Sequence, residues 1–94
     1  MSAAPPSGDS RPHLPRGVRL KHDKVRDEWL LLAPERVVKA NQIAVAVLER
    51  CDGVRTLDVI VDELAKAYKA DRAIIARDVA KLIGDLALKR MVDL

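Results

Sequence analysis

The chain has 94 residues, enough for one domain with a modest core and too few for a deep, enclosed reaction chamber. Phe is absent, Trp and Tyr occur once each, and 49% of the residues are hydrophobic, so a globular core must be built from Leu, Val, Ile and Ala. A formal charge of +3 is weak support for nucleic acid, one cysteine excludes an internal disulfide, and no apolar run reaches the ~18 residues of a membrane span. The opening MSAAPPSGD lacks the basic and apolar regions of a signal peptide, which makes the cytoplasm the default compartment.

Residues 1–14 read as a disordered tail and 15–94 as the folded domain. Met1 to Ser10 is rich in Ala, Pro, Ser and Gly without an apolar period, and Pro12 and Pro15 prolong the irregular entry to Gly17. Val18 and Leu20 then alternate with Arg19 and Lys21, and beyond a polar bend at His22 to Asp27 the run Trp29 to Leu32 reads as an antiparallel partner strand. The bend has no Asn-Gly or Asp-Gly pair, so the register stays open. Pro34 ends that strand, and Arg36 to Lys39 forms a third extended piece whose brevity suits a sheet edge.

Asn41 is an N-cap for a helix over Gln42 to Arg50, with Ile43, Val47 and Leu48 on one side and Gly53 as the stop. Thr56 caps the next helix, where Leu57, Ile60, Val61, Leu64, Ala65 and Tyr68 make an apolar stripe. Asp71 caps a last long helix, Ala73 to Leu88. Its stripe is Ile75, Val79, Leu82, Ile83 and Leu86, flanked by the mixed strip Ile74, Arg77, Asp78, Lys81 and Asp85. Met91 to Leu94 adds a strand or a closing turn. Three strands followed by three helices predict an α+β fold of helix-turn-helix type: a three-stranded antiparallel sheet with one face covered by helices.

No constellation for catalysis emerges. His13 and His22 have no cysteine or second histidine at zinc-site spacing, the glycines never cluster into a phosphate loop, and Glu35 is a lone carboxylate read as a cap or ion-pair member. Cys51 reads as a buried, inert thiol. We therefore expect no catalytic residue, no metal and no cofactor, and a binding module by default. A winged-helix DNA reader is one option, weakened by Asp71, Asp78 and Asp85 on the would-be recognition helix. The other is a peptide binder, in which an extended segment pairs with the edge Arg36 to Lys39 and the last helix forms the opposite wall.

The segment LLLAPERVVK (Leu30 to Lys39), the CDG at Cys51 to Gly53 followed by RTLDVIVDELAKAY, and RDVAKLIGDL at Arg77 to Leu86 closely resemble the PqqD family of pyrroloquinoline quinone biosynthesis. That resemblance runs from about Pro15 to the C-terminus. It implies a winged-helix-like peptide chaperone without catalytic activity, a recognition element that binds the precursor peptide PqqA and presents it to the radical S-adenosylmethionine enzyme PqqE. Carried onto this sequence, it implies a peptide site at Arg36, Val37, Val38 and Lys39 facing Ile75, Arg77, Asp78, Lys81 and Leu82, with the choice between Ile74 and Ile75 left open. It also gives Glu35 and Asp52 the role of bracing the sheet against the helices. Neither nucleic acid nor membrane is an expected partner, and a homodimer stays open. Val38→Asp is expected to weaken peptide binding with the fold intact.

Overall fold

The alternation at Arg19 to Lys21, the apolar run Trp29 to Ala33 and the paired valines Val37 and Val38 fall in three strands in the computed structural model, which describes residues 7–94. Strands β1 (Arg19–Asp23), β2 (Glu28–Ala33) and β3 (Arg36–Ala40) form one antiparallel sheet in the order β1-β2-β3. Leu20, Leu31 and Val38 stand opposite one another in register. Leu31 is buried, and Leu20 and Val38 pack against the core beside it, so this row is where the sheet meets the helices.

The period of two sends Arg19, Lys21, Leu30, Leu32, Val37 and Lys39 to the opposite, open face. The β1–β2 bend closes without Asn-Gly. The Asp23 carboxylate accepts from the Val25 and Arg26 amides at 3.0 and 3.4 Å, and Asp27 takes a left-handed φ of 53°, a conformation Asp tolerates better than most residues.

Helix α1 (Gln42–Leu48) starts at Asn41, whose Oδ1 accepts from the Ala44 amide at 2.8 Å. It stops two residues before the expected Arg50, because the amides of Arg50 and Cys51 turn to Val47 and Leu48, three residues back. Helix α2 (Leu57–Tyr68) is capped by Thr56 and buries Leu57, Ile60, Val61 and Leu64; it ends at Lys69, left-handed at φ 50°, with the Ala70 amide bonded to the Ala65 carbonyl. Helix α3 (Arg72–Leu88), capped by Asp71, packs mainly on α2 and buries Ile75, Val79, Ile83 and Leu86. No helix among the described residues is long and apolar enough to cross a membrane.

The expected disordered tail is only partly open to comparison, since residues 1–6 lie outside the described residues. Residues 7–14 differ from that expectation: they form a strap across the start of α2. Their carbonyls at Gly8 and Ser10 accept from the Asp58 and Leu57 amides at 3.1 and 2.8 Å, two donors that the first turn of a helix leaves unpaired. The Pro12 carbonyl accepts from the Gly53 amide, and Pro12 itself is buried. His13 and Asp93 exchange two backbone bonds of 2.9 Å, so the closing segment pairs with the strap and seats Met91 and Val92 in the core. Periodicity could not show this, because the strap is held by single bonds to loops and caps.

Cys51 is buried and donates to the Val47 carbonyl at 3.3 Å. Burial, with the charge of Asp52 beside it, pushes its thiol up to about 12. Labelling by a thiol reagent near pH 8 should therefore be slow in the folded protein and fast after denaturation; fast native labelling would contradict the placement. Asp52 caps the α1–α2 loop, accepting from the amides of Arg55 at 2.8 Å and Val54 at 2.9 Å and pairing with the Arg55 guanidinium. Those bonds, the Arg55 amide first, hold its carboxyl below its ordinary value of 3.8. The stabilisation is complete above that value and is lost as pH falls through the lower folded-state value. Acid titration of unfolding should show this loss in the wild type and a shallower one in Asp52→Asn.

Candidate functional site

The site is built by two elements that leave a gap between them. Edge strand β3 bonds to β2 on one side only, and no strand lies beyond it among the described residues. A two-residue loop, Pro34–Glu35, makes Ala33 and Arg36 the first pair to exchange bonds. In an antiparallel ladder bonded and non-bonded pairs alternate, so Val38 and Ala40 also bond inward to β2. Val37 and Lys39 therefore turn their N–H and C=O groups toward the open edge.

Beside that edge lies a groove of about 360 Å³ lined by Lys39, Asn41, Ile43, Ala44, Val47, Asp78, Val79 and Leu82. Helix α1 separates β3 from α3: its buried Ala44 and Val47, with Val79 and Leu82 of α3, give an apolar floor, while Asn41 and Asp78 supply a polar rim and Lys39 borders it at the strand edge, its ammonium 3.4 Å from Glu28 on the open face of the sheet. Such a trough suits every second side chain of an extended segment paired to β3.

Among the residues singled out from the sequence, Lys39, Asp78 and Leu82 line this groove. Val37 is 63% exposed, with its side chain on the open face of the sheet. Val38 offers its backbone to the ladder but turns its side chain into the core cluster. An aspartate at Val38 would thus disturb the fold as well as any ligand, contrary to the expectation for V38D.

Of Ile74 and Ile75, between which the sequence left the choice open, neither lines the groove. Ile75 is buried at 8% exposure within the core cluster, as its place in the apolar stripe predicts, whereas Ile74, one turn before Asp78, is 49% exposed. Arg77 and Lys81 are exposed one row further out on α3, beyond the groove lining. Asn41, Ile43, Ala44 and Val47 were missed as lining residues. Ile43 and Val47 share an i, i+4 row, and only the 39% exposure of Ile43 against the burial of Val47 shows that this row dips from core into groove.

Glu35 sits exposed in the hairpin turn and forms no ion pair among the described residues, and Asp52 braces the α1–α2 loop instead of the sheet. Among the described residues no three His, Cys, Asp or Glu side chains converge as metal ligands. His22 stacks at 4.8 Å on Trp29 and bonds Asp27 at 3.0 Å, while His13 lies in the strap 3.7 Å from Asp93.

Comparison with known proteins gives this groove a context. The family model described as coenzyme PQQ synthesis protein D (PqqD) matches residues 28–92. A protein of Rhodopseudomonas palustris named PqqA binding protein is 53% identical over 83 residues, 88% of this chain and 81% of its own. Another of that name from Xanthomonas oryzae is 51% identical over 86 residues, 92% and 94% of the two chains. The solution NMR structure of the PqqD truncation of Methylobacterium extorquens PqqCD, described as a functional and stand-alone recognition element for ribosomally synthesized and post-translationally modified peptides, superposes with a TM-score of 0.83 at 45% identity and covers 95% of each chain. The crystal structure of PqqD from Xanthomonas campestris gives 0.61 at 48% identity, covering 94% of this chain and 98% of that one. The strand and helix that frame the groove both fall inside the matched region, and the chain belongs to the PqqD family.

Proposed function

We propose that this chain binds the precursor peptide PqqA and presents it to the radical S-adenosylmethionine enzyme PqqE in pyrroloquinoline quinone biosynthesis, without catalysing a step itself. The observation that supports this best is the unpaired β3 edge beside an apolar-floored groove, in a chain about half of whose residues are shared with relatives named for PqqA binding. An extended stretch of the peptide adds as a fourth strand. Val37 and Lys39 offer it up to two donors and two acceptors, each bond adding about 0.5–1.5 kcal/mol net. Alternate side chains of the added strand enter the groove over Ala44, Val47, Val79 and Leu82, where apolar burial supplies most of the affinity. Asp78 selects by charge at the rim, while Arg36 flanks one wall and Arg77 and Lys81 lie one row further out on the other.

An adaptor of this kind raises rate by position. Holding one part of the peptide keeps the rest at a high effective concentration near a second protein bound to the same complex. Duplex DNA fits poorly, because Asp71, Asp78 and Asp85 would face phosphates from the exposed side of α3.

The Val37 amide is unused within the fold and proline is tolerated at a sheet edge, so Val37→Pro removes one outward donor with little cost to folding. Calorimetry with PqqA should show binding about three- to tenfold weaker in V37P, with an unchanged circular dichroism spectrum. Undiminished affinity in the folded variant would contradict strand addition at β3.

A further inference from the structure

A second cleft, of about 350 Å³, opens where β3 begins, and it differs in character from the groove. Its lining gathers Arg16, Arg36, Lys89 and Arg90 over a floor that includes Pro15, Val18, Ala33 and Pro34, with Glu35 as the one carboxylate. Four cations against one anion is as large an excess as the whole chain's formal +3.

Three elements far apart in sequence deliver them. A turn closed by the Val18 amide on the Pro15 carbonyl, with Gly17 at φ 86°, projects Arg16. The β2–β3 hairpin projects Arg36, and the end of α3 projects Lys89 and Arg90, the latter held at φ 60°. All four are exposed, and none has a carboxylate within ion-pair distance among the described residues, whereas Arg50, Arg55 and Arg72 each do. The C-terminal dipole of α3 accounts for cations at Lys89 and Arg90, but not for Arg16 and Arg36 converging on the same place. Crowded like charges repel, and the repulsion is relieved when an anion enters.

We propose that this cleft receives carboxylate side chains of the bound peptide, just outside its strand-forming stretch. The inference rests on the strand-addition reading above, since a strand paired to β3 runs off its Arg36 end directly onto this cleft. The cleft thereby fixes polarity and register: an apolar stretch sits in the groove, and an acidic stretch follows it past Arg36. Its apolar floor and small size favour a peptide over nucleic acid, whose phosphates would need a longer basic track.

The test compares the wild type with Arg16→Glu/Lys89→Glu and with the neutral pair Arg16→Gln/Lys89→Gln, titrated with full-length PqqA at about 50 mM and about 300 mM salt. Thermal unfolding reports on the fold of each variant. Binding about tenfold weaker in the acidic pair, intermediate in the neutral pair, and less sensitive to salt than in the wild type is expected. Equal affinity and equal salt dependence in all three proteins would overturn the cleft's role and leave strand addition standing. Failure of the wild type to bind PqqA would overturn both, and binding of a DNA duplex lost in the acidic pair would give the cleft to nucleic acid instead. Should the acidic pair unfold, the neutral pair and the wild-type salt dependence decide the matter.

Discussion

The structure depends on a separation: α1 is wedged between the edge strand β3 and the long helix α3, so the two never close on each other. Asn41 fixes where α1 starts, directly after Ala40 ends the strand, and the small, buried Ala44 keeps the wedge low. A bulkier residue there would fill the trough, whereas loss of the cap would let the chain between strand and helix drift. The same few residues therefore set both the topology and the width of the groove.

Around that wedge, polar details hold the frame. The strap of residues 7–14 satisfies the opening amides of α2 and pairs with the closing segment, and Asp52 with Arg55 and Glu63 ties the α1–α2 loop to α2. These bonds leave the β3 side of the molecule untouched. The β3 edge can thus stay unpaired in a domain of this size without unravelling it, because Leu31 in the sheet's inner row, with Ile60, Ile83 and Met91 beyond it, anchors the core.

Much of this was legible in the sequence. Alternation marks the first strand, an apolar run the second and two β-branched valines the third, and the caps Asn41, Thr56 and Asp71 all act as read, each accepting from an amide of its helix. The resemblance in LLLAPERVVK and RDVAKLIGDL pointed to the two walls. What could not be read is where each wall turns. Ile74 and Ile75 differ by 100° of helix phase; the apolar stripe sends Ile75 inward, but only the fold shows that Ile74 also stands clear of the groove. Ile43 and Val47 form one apolar row, and nothing in their identity says that the row spans core and groove. The strap was invisible for another reason: its bonds go to single amides of loops and helix starts, which have no periodic signature. The cationic cleft likewise joins residues separated by more than seventy positions, Arg16 and Lys89, which only the fold brings together.

Amide hydrogen exchange, followed residue by residue in the free protein and in its complex with PqqA, probes the unpaired edge most directly. The outward amides of Val37 and Lys39 should exchange quickly when free and become protected on binding, while Val38 and Ala40, already bonded to β2, change little. Rapid exchange at Val37 and Lys39 in a saturated complex would mean that the peptide is held elsewhere, and the account of β3 as a template for an added strand would be wrong.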